Sequence, residues 1–270
     1  MVRVPLGPFS FPHNCSFFIM YLSFVGKPLH MKKIVYLIGA SCTVFSCKPP
    51  SYSYVPTTLN TAAYSQSGEG HAGVLFGSAG IGAKGGIALT KNINVNIWGA
   101  TLPAANNDYS SKEAEYSIGV QTNPDNNSVT SFILGLGNGH NEKPRTELSG
   151  HFNRGFLQIM QSTIDNKLGR NGRFEGFVGL RVNYLDYTGT NNDKPLNDIL
   201  YYYEPFFGFN IGGKNVRFEL LQGLAMKNTG EWSHGVRVFP WFGHIGVLVK
   251  LRKDEKSNKQ RPNPWTTPNL

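Results

Sequence analysis

The 270-residue chain carries 31 glycines, 13% aromatic residues and only 16% charged residues, against about 25% charged in an average soluble domain. No run of about 20 apolar residues follows Cys47, which excludes a bundle of membrane-spanning helices. The formal net charge of +9 is no argument for a nucleic-acid partner, because six of the basic residues sit in the stretch Lys250–Arg261 and the chain carries an export-type segment ahead of Cys47.

That segment starts at Met31. Lys32 and Lys33 are followed by thirteen uncharged residues, Ile34–Ser46, and then by Cys47. A basic start, a short apolar run and a small residue before the cut read as a secretory signal, too short to be a membrane helix. A cysteine after the small Ser46 resembles the bacterial lipoprotein signal, in which that cysteine is lipidated and becomes the mature N-terminus. Val44, three places earlier, stands where leucine is usual in such signals. Cys42 is the weaker alternative, since it leaves a very short apolar run, and an ordinary signal with an incidental cysteine is the plainer reading. A signal is read at an N-terminus, so residues 1–30, with Pro5, Pro8, Pro12 and Pro28 and no periodicity, are expected to be an upstream mis-start, disordered or removed. Residues 31–46 are then the signal peptide. Cys15 and Cys42 are lost with these segments, which leaves no disulfide framework and no thiolate metal site.

Residues 47–69, rich in Ser, Thr, Tyr and Pro, read as an extended tether or as a segment lying along the fold. From Gly70 to Leu251 the dominant signal is alternation with a period of two. Ala72, Val74 and Phe76 share one face of Gly70–Gly77. Ile81, Ala83, Ile87 and Leu89 share a face of the next run, opposite Lys84. Ile93–Trp98 alternates apolar and polar residues, and Thr101–Ser111 reads as a loop. Glu113–Gln121 sets Ala114, Tyr116, Ile118 and Val120 against Glu113, Glu115, Ser117 and Gln121. A turn is expected at Asn123–Asn127, a strand at Val129–Gly137, a long polar loop at Asn138–Phe152 and a poorly alternating strand at Arg154–Ile164. Arg173–Tyr187 alternates again; Gly189–Asp198 reads as a polar loop. Tyr201–Ile211, Val216–Met226 and His234–Leu251 complete the series. Residues 252–270 read as a disordered polar tail.

The reading is all-β: an antiparallel up-and-down transmembrane β-barrel over residues 70–251, with about ten strands of membrane-crossing length and eight as the alternative. If the apolar faces meet lipid, the period of two turns Glu113, Glu115, Arg173, Glu175, Arg181, Glu204, Arg217 and Glu219 inward. In a narrow barrel these eight are expected to form a paired lumen network, because an unpaired buried charge is costly. Trp98, Tyr184, Tyr187, Tyr201, Tyr202, Tyr203 and Trp241 are candidates for interface girdles.

Several features taken in order resemble a family of small outer-membrane β-barrel lipoproteins of Bacteroidetes-type bacteria. They are Cys47, then Tyr54–Val55–Pro56 and Asn60, the opening Gly68–Glu69–Gly70, Tyr203–Glu204–Pro205 and Gly213–Lys214–Asn215–Val216–Arg217–Phe218. The match spans roughly Cys47–Leu251, and the tail beyond Leu251 departs from it. The resemblance implies a lipid-anchored protein of the bacterial outer membrane, and it transfers no catalytic site.

No cofactor or metal site is expected. Gly77–Ser78–Ala79–Gly80 lacks the strand-then-helix context of a nucleophile turn and reads as a hairpin. His71, His140, His151, His234 and His244 show no metal-ligand spacing. The expected role is structural or accessory, with membrane lipid and the outer-membrane assembly machinery as partners and no further protein partner identified. A small pore or ligand-binding barrel is the alternative, and a rim-active lipid-modifying enzyme a further one. Conductance and lipid hydrolase or acyltransferase assays separate them.

Overall fold

The computed structural model describes residues 54–56, 59–103, 109–122, 128–144, 147–164, 166–227, 238 and 240–251. The expected upstream segment, the signal peptide, Cys47, the Asn123–Asn127 turn and the tail lie outside these residues.

The strands, in chain order, are β1 (Gly70–Gly77), β2 (Gly80–Ala88), β3 (Ile93–Leu102), β4 (Ser110–Gln121), β5 (Ser128–Lys143), β6 (Leu148–Thr163), β7 (Asn166–Leu168), β8 (Gly172–Asn191), β9 (Lys194–Gly212), β10 (Val216–Leu224), β11 (Met226–Lys227) and β12 (Trp241–Leu251). β7 and β11 are short extensions paired to β8 and β9. The other ten pair antiparallel with their sequence neighbours, and β1 pairs with β12 from Gly70↔Leu251 to Gly77↔His244. The sheet thus closes as a ten-stranded antiparallel barrel with no free edge, the one kind of sheet that satisfies its backbone in lipid.

Alternation explains the wall. On β4, Ala114, Tyr116, Ile118 and Val120 are exposed, while Glu113, Glu115 and Gln121 are buried. On β8, Val178, Leu180, Val182 and Tyr184 point out, and Glu175, Arg181 and Asn183 point in. Every outward position of β8 from Phe174 to Tyr184 is apolar or glycine. Those residues, at about 3.3 Å each and a tilt of about 40°, cover about 25 Å, the height of a lipid-facing band. Above them the outward residues become polar: Asp186, Thr188 and Thr190 on β8, Asn138, His140 and Glu142 on β5, and Ser149, His151 and Asn153 on β6. Tyr184 and Tyr201, with ring centroids 5.5 Å apart, mark the change.

The two ends differ. One carries Gly70 and Leu251 and the turns 89–92 and 213–215, and is here the turn end. At the other, the loop end, the wall is uneven: β5 and β6 have 16 residues, β8 has 20 and β9 has 19, against 8 in β1 and 9 in β2.

This uneven wall corrects two expected loops. Asn138–Phe152 is mostly strand, with β5 running to Lys143 and β6 beginning at Leu148. Gly189–Asp198 is likewise hairpin, turned by Asn192 and Asp193, both with positive φ (49° and 59°). That is the geometry of a two-residue turn matched to strand twist. Polar residues on both strand faces imitate a loop wherever a barrel wall rises beyond the bilayer. The expected loop at Thr101–Ser111 also shrinks, since β3 runs to Leu102 and β4 starts at Ser110, and β12 begins at Trp241 rather than His234. Trp98, Tyr187 and Tyr202 are not girdle residues: they share the inward parity of their strands and are buried.

Inside, aromatic rings lie across glycines of the adjoining strand. Phe156 faces Gly135, Phe206 faces Gly179 and Phe242 faces Gly223 in direct register. A Cβ at any of these glycines would overlap the ring opposite. In these three pairs ring and glycine together fill a narrow lumen.

Candidate functional site

Tyr54–Glu69 does not trail away from the barrel; it runs through it. Tyr54, Leu59, Thr61, Ala63, Tyr64 and Glu69 are all buried. At the turn end, Gly68 N–H donates to the Ala88 carbonyl and Ala88 N–H donates to the Glu69 carbonyl, both at 2.8 Å. Tyr64 exchanges bonds with Gln121: its N–H donates to Oε1 at 3.3 Å, and Nε2 donates to its carbonyl at 2.6 Å. Its hydroxyl donates to Asn96 Oδ1 at 2.6 Å and meets His71 Nδ1 at 2.9 Å. Halfway along, Thr61 donates to Glu219 at 2.7 Å, and the Asn60 carbonyl accepts from Gln158 at 2.6 Å. Nearer the loop end, the Tyr54 hydroxyl accepts from Arg154 at 2.5 Å and from Tyr202 at 2.9 Å, and its ring meets Phe152 edge-on at 5.0 Å. Tyr54 also bridges to Val238, in the connection preceding β12.

Around this segment the inward charges fall into three clusters. In the first, Glu115 is bound bidentately by Arg181 (3.0 and 3.2 Å) and by Arg154 at 2.5 Å. Arg181 also donates from Nε and Nη2 to Gln158 Oε1 at 3.1 and 2.9 Å, with its guanidinium 3.9 Å from the Phe156 ring centroid. Glu204 accepts from Asn183 at 3.0 Å in the same layer. In the second, Glu219 holds Lys84 at 2.5 Å and His244. In the third, Glu175 meets Arg217 and Lys250, each at 2.6 Å, and Lys250 reaches Glu69 at 3.8 Å. Between Leu59, Lys84, Trp98 and Glu115 a void of about 10 Å³ remains, room for about one water.

Of the eight residues expected to point inward, Glu113, Glu115, Glu175, Arg181, Glu204, Arg217 and Glu219 are buried inside the wall. Glu115 and Arg181 share the first cluster, Glu219 belongs to the second, and Glu175 and Arg217 share the third. Arg173 differs: it is half-buried at the turn-end lip, where Nη1 donates to the Gly172 carbonyl at 3.0 Å. Sequence reasoning missed Arg154, Lys250 and His244 as pairing partners and gave Lys84 a side without a partner. Arg154 was hidden because β6 carries apolar residues on both faces, such as Phe156 inward and Leu157 outward. Lys84 and Lys250 stood on recognisably polar faces, but period two gives a side and not a partner. Tyr109, just before β4, is buried beside Asn141 at 3.3 Å, and burial pushes its phenol above the ordinary value.

Other expected features take plain places. Ser78–Ala79 is the β1–β2 turn, with Gly80 at φ 92°. His140 and His151 face outward above the apolar band, rings 4.3 Å apart, with His140 Nε2 2.8 Å from Glu142. They border an open concavity of about 930 Å³ on the outer wall, lined also by Ile81, Ala83, Ala114 and Lys112. Among the described residues no hydroxyl is hydrogen-bonded to either ring, and no group of three potential ligands is placed to hold a metal.

No family model and no curated protein sequence matches the chain. Among solved structures, it is similar to the translocator domain of the autotransporter NalP from Neisseria meningitidis, with 9% identity, a TM-score of 0.38, and coverage of 81% of this chain and 94% of that one. It is also similar to LpxR from Salmonella typhimurium, with 9% identity, a TM-score of 0.33, and coverage of 68% and 100%. A third, the copper transporter OprC, has 13% identity, a TM-score of 0.28, and coverage of 74% of this chain and 35% of that one. The barrel architecture itself rests on the chain's own strand pairing.

Proposed function

We propose that the protein is a lipoprotein of the bacterial outer membrane, anchored through Cys47, whose barrel has a structural or accessory role. Support for the membrane comes from the closed sheet and its apolar outer band, since each backbone group is paired within the wall. Support for the anchor comes from the order of basic, apolar and small residues before Cys47 and from the family resemblance. The observation that carries the role is the traversing segment Tyr54–Glu69. It is hydrogen-bonded to the wall near both ends and in the middle, and the three charge clusters close around it. A barrel filled in this way holds its shape but offers ions no continuous water path. Its partners are then lipid and the machinery that assembles such barrels.

Planar-bilayer recording of the folded wild-type barrel tests the role. The expected trace shows no steady conductance. A steady channel whose ion selectivity changes with Arg181→Ala or Glu204→Ala supports a pore instead.

A further inference from the structure

Charge is distributed unevenly between the two ends of the barrel. At the turn end, Lys91 lies in the β2–β3 turn, Lys167 on β7, Arg170 in the β7–β8 turn and Lys214 in the β9–β10 turn, and all four are exposed. Arg173 adds a further cation, half-buried at the same lip. The carboxylates described at this end, Glu69 and Glu175, are buried inside the wall. Among the described residues the carboxylates that reach solvent are Glu142, Glu147, Asp186, Asp193 and Asp198, all toward the loop end. Lys112, Lys143 and Lys194 stand among them there. The loop end is thus mixed in sign, and the described rim of the turn end is basic.

Strand register points to an anion at this rim. Lys167 stands directly opposite Arg173 in the β7–β8 pairing, with Arg170 in the turn between them. Like charges directly opposite one another destabilise a strand pair, and an anion between them removes the repulsion. Among the described residues no carboxylate pairs with Lys91, Lys167 or Arg170. The neighbouring side chains point to the kind of anion. Leu89 and Ile93 flank Lys91, Leu168 follows Lys167, and Val216 lies two residues beyond Lys214; all four apolar side chains are exposed. Two strand residues span about 5 Å along the barrel axis, at about 3.3 Å each and a tilt of about 40°. That is the depth over which acyl chains give way to headgroups. With the apolar side chains among acyl chains, the cations stand at the level of lipid phosphates.

We infer that the turn-end rim binds the phosphates of anionic glycerophospholipids in the adjoining leaflet. This rests on the membrane reading and narrows the lipid partner to one class. A soluble anion would match the charge but leave the four apolar side chains in water; a lipid meets both. The strands β3 to β6 separate Lys91 from the β7–β8 hairpin, so the rim gathers several lipids around the barrel and is not a pocket for one.

The folded full chain is placed in phosphatidylcholine vesicles carrying a trace of spin-labelled phosphatidylglycerol or spin-labelled phosphatidylcholine. The motionally restricted fraction of each label reports its preference for the protein surface. The wild-type barrel is expected to hold phosphatidylglycerol about fivefold more strongly, the effect of one cation near an anionic lipid surface, and less so at high salt. Lys91→Gln, Lys167→Gln and Arg170→Gln together are expected to remove most of this preference, and Lys91→Arg with Lys167→Arg to keep it. Lys112→Gln, Lys143→Gln and Lys194→Gln remove the same charge from the loop end and are expected to leave the preference in place. Heat-modifiable migration confirms that each variant is folded. Equal affinity of the wild type for both lipids, or an equal loss in the loop-end variant, overturns the inference. Release of phosphatidylglycerol by inorganic phosphate at constant ionic strength also overturns it, in favour of a free-anion site. Salt-sensitive binding of polyglutamate without a lipid preference would give the rim to an acidic polypeptide instead. A chain that folds but does not enter the vesicles refutes the membrane reading, and the inference with it.

Discussion

Arg181 offers the sharpest test of how the lumen is held. It is fully buried and makes two bonds to Glu115, two to Gln158 Oε1 and a stacking contact with Phe156. Arg181→Ala removes all of these at once. Breaking a buried ion pair from one side costs about 3–5 kcal/mol. Glu115 keeps Arg154 at 2.5 Å, so its charge is not stranded, which favours the lower end. Gln158 Oε1 loses both donors from Arg181, which adds about 1 kcal/mol or more. The expected loss is therefore about 3–4 kcal/mol. The geometry also fixes a rank order. Glu115→Gln weakens the anion between two guanidiniums and is expected to cost more than Arg181→Ala. Glu204→Gln changes a group whose described bond is one from Asn183 and is expected to cost about 1 kcal/mol. Urea unfolding of the refolded barrels, followed by circular dichroism and heat-modifiable migration, measures all three. Arg181→Ala within about 0.5 kcal/mol of wild type, the range of ordinary surface changes, would refute a lumen held by paired charge. A cost for Glu204→Gln above that for Glu115→Gln would refute the assigned partners.

Cys47→Ala should abolish metabolic fatty-acid labelling without changing the heat-modifiable shift; transfer of the label to Cys42 would reassign the site. Val178→Arg places a charge on an outward position that is 56% exposed, and near the midplane it should weaken assembly by about 2–4 kcal/mol. Variant barrels that stay folded in water without detergent would instead show a soluble barrel. Gly86→Val should unseat the traversing segment, because a Cβ there overlaps the Tyr64 hydroxyl and Asn96. The expected readout is new protease sensitivity within residues 54–69, and unchanged sensitivity would mean that the segment is not held there. Deleting residues 54–66 should convert a silent barrel into a conducting one in planar bilayers; continued silence would show that the wall side chains close the lumen unaided.

Much of the wall was legible in the sequence because its physics is local. A strand between lipid and a packed interior must alternate, so Val178, Leu180 and Val182 against Arg181 and Asn183 declare both the strand and its two faces. The same parity put Glu115, Glu175, Glu204, Arg217 and Glu219 inside, and a ten-strand count followed from runs and turns. Alternation becomes uninformative where both faces have the same polarity. It failed at β6, where apolar and polar residues occur on both faces, and on the polar upper reaches of β5, β8 and β9, which imitate loops. Parity placed Trp98, Tyr187 and Tyr202 on the inward faces of their strands, but residue type pointed to a girdle, because an aromatic ring suits a girdle and a filled lumen equally.

Tertiary structure alone decided the rest. Which carboxylate meets which cation depends on strand stagger: Glu115 on β4 is bound from β6 and β8, and Lys84 on β2 reaches Glu219 on β10. These partners are far apart in the chain and joined only by closure of the sheet. The path of Tyr54–Glu69 is the clearest case. Its composition of small, polar and aromatic residues suits a solvated tether as well as a plug. A segment without periodicity takes its place from the cavity that receives it, and that cavity exists only once β1 has paired with β12.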